Sequence, residues 1–284
     1  MHELIKDMSL TSFLKIPKVK NELLNTFEFE SPKLSAEIKA PPQTQNYPLV
    51  GTAFDYLLRF HIERLNLNSI TRGWVAEDAV ELTKIRPEIY EKLNALLDAT
   101  KKVHKSFLKS GILTNSIVAS SILLAKLDAI YRAGYLDPNL LDINDGDIAD
   151  LKNLISIVDY SIFKSSKISA LNPTFGEASH LVGGADADFI IDDTLIDIKT
   201  TKNLKFDRDY YNQLVGYFIL SKLGGIDGLS DHKIKKIGIY FSRHGILHVM
   251  PVSDIENNPS FPSFVEWFSK EAENTFKETD MNNV

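Results

Sequence analysis

Asp186, Asp188, Asp197 and Lys199 are the residues of this chain whose types and spacing could do chemistry. They lie in VGGADADFIIDDTLIDIKTT, Val182 to Thr201, where five acidic side chains and one lysine share twenty residues with a run of apolar ones. Alternate side chains of a strand share a face. Asp186 and Asp188 therefore point one way, and Asp197 and Lys199 share a face of the next strand. Phe189, Ile190, Ile191, Leu195, Ile196 and Ile198 demand burial on both faces, which argues against a solvated surface hairpin. Asp192 and Asp193 are turn residues. If the strands pair around them, the two polar faces lie side by side. Carboxylates gathered this way repel and lose hydration. A hard divalent cation removes that penalty, and Mg²⁺ is typically held by one or two carboxylates with phosphate and water. Such an ion polarises a phosphodiester and acidifies a water. A lysine beside it stabilises developing negative charge or positions the attacking water. The arrangement suits metal-assisted phosphodiester hydrolysis.

The elements that must position these residues are legible in part. Residues 1–50, with FEFESPKLSAEIKAPPQTQNYP, read as irregular with at most one short strand. GTAFDYLLRFHIERL reads as a helix, with Phe54, Leu57, Leu58, His61, Ile62 and Leu65 on one apolar face. The helical pattern continues from about Pro87 to Lys164. In it, SILLAKLDAIYRAG places Leu123, Leu127, Ile130 and Tyr131 on one side and ends at Gly134. Deleting the acidic loop DINDGD, residues 142–147, is expected to leave catalysis on short oligonucleotides largely intact. Beyond Ser165 the pattern turns to strands: HLVGGADADFII and TLIDIKTT, then KIKKIGIYFS and ILHVMPV after the helix DRDYYNQLVGYFILSKLGG. PSFVEWFSKEAENTF closes the chain as a helix. A helical half followed by strands and helices predicts an α/β or α+β fold with an inserted helical region.

Composition narrows the classes. The chain has 284 residues, 44% hydrophobic, enough for one large domain or two small ones. It has no cysteine, so disulfides, zinc–thiolate sites and iron–sulfur clusters are excluded. The first twenty residues lack a signal-peptide pattern, and the longest apolar run is too short to span a bilayer. The expectation is a soluble cytoplasmic protein without membrane partners. A net charge of −6 argues against a uniformly nucleic-acid-binding surface but permits a local basic groove.

Three ordered pieces carry a family resemblance: Gly183-Gly184-Ala185-Asp186, then Asp197-Ile198-Lys199, then Gln213 and Tyr217 in QLVGY. Together they resemble the PD-(D/E)XK nuclease superfamily, and within it the RecB-like and λ-exonuclease-like branch. The match covers roughly Phe175 to Leu220. The resemblance implies an α/β restriction-endonuclease-like core, a mixed sheet flanked by helices, with a large helical insertion. It implies a single domain over 51–284, with the insertion at about 70–164 and the catalytic core at about 165–252. It implies that Asp186, Asp197 and the carbonyl of Ile198 hold Mg²⁺ or Mn²⁺. Lys199 supports the water or the transition state, and Gln213 and Tyr217 position Lys199 or the nucleic-acid backbone. The substrate would be DNA, cut by an exonuclease or DNA-processing activity, with protein partners in a processing or defence system unspecified. Where relatives carry a metal-binding His four residues after a Gly, this chain has Asp55 after Gly51. Asp55 is either a ligand or half of a helix-surface pair with Arg59.

Other residues remain open at this level. Asp188 is a second ligand or orients its neighbourhood. Lys202, Lys205 and Arg208, with HKIKK at 232–236, form a phosphate-contact rim or a solvated face. His61 reads as a core histidine, Glu177 as a remote candidate for the metal shell, and His244 and His248 have no partner. Two readings from other classes stand beside the nuclease: a catalytically inactive nucleic-acid-binding or scaffolding subunit, and a structural or protein-interaction domain with a fortuitous acidic hairpin.

Overall fold

A computed structural model of the chain describes residues 9–281, with the backbone alone for 276–281. Residues 1–8 of the expected irregular segment lie outside it. The rest of that segment is not all irregular. Helices α1 (Leu10–Phe13) and α2 (Pro17–Thr26) form there. Ser9 caps α1 by accepting from Ser12 N, and Pro17 opens α2 where its missing N–H costs nothing. These short helices exist because Leu10, Phe13, Val19 and Leu23 are buried. The Phe13 ring meets Phe268 edge-on at 5.1 Å. Local propensity does not reveal that tertiary contact.

The chain continues through α3 (Tyr47–Leu65), β1 (Ile70–Thr71), α4 (Val75–Glu81), α5 (Pro87–Ser110), α6 (Asn115–Ala133) and α7 (Asp145–Ser156). It then runs β2 (Ser169–Leu171), α8 (Glu177–Leu181), β3 (Phe189–Ile191), β4 (Thr194–Lys199), α9 (Arg208–Gly224), β5 (Lys236–Phe241), β6 (Ile246–Pro251), α10 (Ser253–Glu256) and α11 (Phe261–Met281). Gly134 ends α6 in the left-handed region, at φ 62°. The six strands form one mixed sheet in chain order. β3 and β4 are an antiparallel hairpin in which Ile191 faces Thr194, so Asp192 and Asp193 make the turn. β4 and β5 are parallel, joined through α9. No helix among the described residues is long and apolar enough to cross a membrane.

The protein is thus a mixed α/β structure with helices on both faces of the sheet. Ile190, Leu195, Ile237 and Ile239 pack with α1, α2, α9 and α11. Phe189, Ile191, Ile196 and Tyr240 pack with α3 to α7. The helical stretch therefore covers one whole face, and Phe163 sits edge-on against Phe189 and Tyr240. One strand expectation and one loop expectation need correction. HLVGGADADFII is a strand only over its last three residues: Glu177–Leu181 is helical, and Gly183 and Gly184 turn with φ 77° and 134°. The segment 142–147 is not a free loop. Asn144 caps α7, and buried Asp147 accepts from Asn46 Nδ2 at 3.0 and 3.2 Å at the start of α3.

The β5–β6 turn is locked from below. Arg243 and Asp150 are both fully buried and meet bidentately at 2.8 and 3.0 Å, and Arg243 also donates to Ala40 O at 3.0 Å. Removing one partner of such a pair strands a buried charge. Asp150→Ala should lower unfolding free energy by about 3–5 kcal/mol, measured by urea denaturation. The Asp150→Leu/Arg243→Leu double variant should recover much of the loss. A single variant as stable as wild type contradicts this account.

Candidate functional site

At the Lys199 end of β4 the sheet opens into a cleft of ≈ 350 Å³. Asp186, Asp188, Asp197, Ile198, Lys199, Gln213 and Tyr217 all line it, as does Asp55. The sheet explains Asp188, Asp197, Ile198 and Lys199. The register that pairs Phe189 with Ile196 and Ile190 with Leu195 sets Asp188 across from Asp197, on the same face as Ile190 and Leu195. Asp186 comes in from the loop before β3, where it bridges to Thr174. Gln213 and Tyr217 are one turn apart on α9.

Lys199 is held from several sides. Its Nζ lies 2.7 Å from Asp197 Oδ2 and donates to Gln213 Oε1 at 2.8 Å. Gln213 Nε2 in turn donates to the Tyr217 hydroxyl at 3.1 Å. The ammonium also sits 5.0 Å from the centre of the Tyr210 ring, a favourable cation–π distance. Burial pulls the ammonium pKa down, but Asp197 and Asp188 outweigh it and hold it above its ordinary value. Lys199 therefore carries its charge. Burial, with Asp197, Asp186 and Asp188 nearby, pushes the Tyr217 phenol well up, so it stays neutral.

The carboxylates are under strain of a different kind. Burial raises Asp188 well above the ordinary range, and Asp55 and Asp197 add to it. Burial raises Asp197 too, with Lys199 opposing and Asp186 adding. Asp188 is not simply a second copy of Asp186. Its Oδ2 accepts from Ile198 N at 2.6 Å, so it orients β4 beside the cleft. Asp55 does pair with Arg59, but Arg59 is buried and Asp55 only partly exposed at the cleft wall, not on the helix surface. Its other oxygen, Oδ1, has no hydrogen-bond partner among the described residues, and neither has Asp197 Oδ2 beyond its ion pair.

The other expected contacts fall elsewhere. None of Lys202, Lys205 and Arg208 lines the cleft. Lys202 lies over the Tyr47 ring, Lys205 is exposed, and Arg208 donates to Leu23 O, tying α9 to α2. HKIKK cannot border the cleft, because Lys236 pairs with Thr194 at the opposite end of β4. His61 is a core residue, bonded to Tyr160 at 2.9 Å and pushed down to about 4 by burial and Arg64. Glu177 is exposed and outside the cleft. His244 is buried in the β5–β6 turn, and the His248 ring packs on Phe206.

Sequence reasoning missed Asp128 and Arg132. They come from α6, and Arg132 Nη2 reaches within 3.7 Å of Asp186 Oδ2. Their i, i+4 spacing signals a helix ion pair, and it forms at 3.2 Å, but spacing says nothing of where it lands. Leu10 N donates to Gly184 O at 2.9 Å and seats the start of α1 at the rim.

Comparison with family models, with curated proteins and with solved structures gave no match.

Among the described residues, no three His, Cys, Asp or Glu side chains gather so as to hold a metal by themselves. The donor set that remains is two carboxylates, Asp186 and Asp197, with the Ile198 carbonyl. That is a partial shell of hard oxygens, of the kind Mg²⁺ completes with water and phosphate. The buried Asp55 Oδ1, which has no hydrogen-bond partner among the described residues, fits a cation in the cleft.

The raised carboxyls have a stability consequence. The folded state keeps a proton on Asp188 at pH values where the unfolded chain, with a pKa of about 3.9, has released it. Stability from this group is therefore lost as pH rises through the folded-state pKa. Asn at 188 still offers an oxygen to Ile198 N–H and carries no charge. In EDTA at neutral pH, Asp188→Asn should melt a few degrees higher than wild type and depend less on pH. Thermal melts across pH 4–8 test this, and a lower melting temperature for the variant would refute it.

Proposed function

We propose that the protein is a Mg²⁺- or Mn²⁺-dependent nuclease that hydrolyses DNA phosphodiester bonds with a PD-(D/E)XK-type core. The observation that carries this reading is the convergence of Asp186, Asp197, Lys199, Gln213 and Tyr217 on one cleft, with Lys199 held by the Gln213–Tyr217 pair. Five residues from a loop, a strand and a helix meet in one cleft, which supports the roles the motif spacing implies.

Asp186, Asp197 and the Ile198 carbonyl would hold the cation. When bound, it supplies Lewis-acid polarisation of the phosphodiester and lowers the pKa of a water. The chain's own residues do the rest. Lys199, kept charged by Asp197 and Asp188, presents an ammonium where negative charge builds on the phosphate oxygens. Gln213 accepts from that ammonium and so fixes its direction, while Tyr217 orients the Gln213 amide. Asp188 accepts from Ile198 N and so holds the Ile198 backbone, whose carbonyl would join the cation's shell. An exonuclease or DNA-processing role follows from the resemblance to that branch of the superfamily. A second reading, an inactive nucleic-acid-binding subunit, is favoured by one contact. Arg132 already gives Asp186 a positive partner.

The two readings separate by mutation. Asp197→Asn removes one charge from the cation's shell and should weaken Mg²⁺ binding together with cleavage. Lys199→Ala should leave Mg²⁺ binding intact or tighter while cleavage falls on the order of 10²–10³-fold. Calorimetry of Mg²⁺ binding beside a nuclease assay on linear, circular and single-stranded DNA checks both. Cleavage undiminished in excess EDTA, or a wild-type protein that binds no divalent cation, would falsify the metal-nuclease reading.

A further inference from the structure

The acidic cleft does not end at Arg132. A second cavity of ≈ 360 Å³ opens on the other side of that side chain, and the two share Thr52, Asp128 and Arg132. Its walls are Pro48 and Leu49 on the first turn of α3 and one face of α6, where Ala125, Ala129 and Ala133 recur at four-residue spacing. Tyr135, just past the left-handed Gly134, also lines it and is 56% exposed. Small residues on one side and an aromatic on the other make a mainly apolar slot suited to a flat ring, with Lys126 and Asp137, paired with each other at 3.0 Å, also on its wall.

Asp128 adds an unsatisfied buried acceptor where the two cavities meet. It is 2% exposed and lines both cavities. Its Oδ2 takes Arg132 Nε at 3.2 Å, but Oδ1 is buried with no hydrogen-bond partner among the described residues. A buried acceptor left this way bears its full desolvation cost, which a ligand N–H relieves. Nucleobase amines are such donors, and a carboxylate accepts well from the cytosine amine. Arg132 itself is half exposed and only loosely placed on Asp186, at 3.7 Å. Lys199, the cleft's other lining cation, is far less exposed and already committed to Gln213. Arg132 is therefore the guanidinium positioned to take a phosphate between the two cavities.

We propose that the second cavity is a subsite for one unstacked nucleobase of the strand whose phosphodiester lies in the acidic cleft. Single-stranded or unpaired ends are then the preferred substrate, with Arg132 bridging the phosphate and the base in the alanine-lined slot. The inference rests on the phosphodiester reading for the occupant of the first cleft. A paired base inside a duplex must first be extruded, so a duplex cannot use the slot without an added cost.

The test is binding without cleavage. Full-length protein carrying Lys199→Ala, in Mg²⁺, is titrated by fluorescence anisotropy against fluorescein-labelled oligo(dC) and against a blunt hairpin duplex. Oligo(dC) should bind about tenfold tighter than the hairpin. Tyr135→Ala, at an exposed position, and Ala129→Phe, which fills the slot, should each weaken oligo(dC) about fivefold or more and leave the hairpin unchanged. Ala133→Phe, on the same helix face and exposed, replaces Ala129→Phe if that variant does not fold. Equal affinity for the two probes overturns the subsite, as does oligo(dC) binding that ignores the slot variants. A Tyr135→Ala variant that changes oligomeric state but not oligo(dC) affinity overturns it too, and assigns the slot to a protein contact. The two readings fail separately. Slot-independent binding with wild-type cleavage intact removes the subsite alone, whereas slot-dependent binding by a protein that never cuts removes the nuclease reaction alone.

Discussion

The hydrogen bond from Ile198 N to the Asp188 carboxylate is the contact on which the site depends. The β3–β4 ladder runs out at Phe189 and Ile196, and beyond it β4 has no backbone partner on that side. A side-chain carboxylate takes the place of a ladder carbonyl and carries the register two residues further. Asp197 and Lys199 thereby stay in strand geometry and on one face while the chain before β3 is free to turn through two glycines and deliver Asp186. The cost is a buried carboxylate beside Asp55 and Asp197. A structure built only for stability would replace it with an apolar pair.

The surroundings convert that local strain into an arrangement of charge. Acidic groups crowd the cleft: Asp55, Asp128, Asp186, Asp188 and Asp197 line it, against Lys199 and Arg132. Each cation is positioned by an anion and cannot be moved without exposing one. Lys199 answers Asp197 and is steered by Gln213. Arg132 answers Asp128 and leans on Asp186. An anionic ligand meets a net repulsive cleft until a cation enters it. In such a site, metal and phosphate favour each other's binding, because each neutralises what the other must face.

The helical stretch between α3 and β2 works on both levels. Its buried residues cover the sheet face that carries Phe189, Ile191 and Ile196, so the strands could not be apolar on both sides without it. Its α6 then reaches past the sheet end and supplies one wall of the cleft. Arg243 and Asp150 hold the opposite corner, where α7 meets the β5–β6 turn. The same packing that stabilises the domain thus aims Asp128 and Arg132.

The sequence alone determined the relations that lie within one element or across one tight turn. Period-2 alternation put Asp197 and Lys199 on one face, the Asp192–Asp193 turn set them beside Asp188, and helical periodicity put Gln213 and Tyr217 together. Each is set by backbone geometry over a few residues, so a single chain suffices to read it. Tertiary structure decided what lies between elements. It turned Asp188 into a backbone acceptor and set Asp55, paired with buried Arg59, at the cleft wall. It made helices of Leu10–Phe13 and Pro17–Thr26 against a core their own sequence does not announce. It brought Arg132 to Asp186 across more than fifty residues of chain and sent Lys202, Lys205 and Arg208 elsewhere. Spacing along a helix or strand fixes direction about its own axis. Where that axis lies is set by which apolar faces bury one another, and many sequences share those faces.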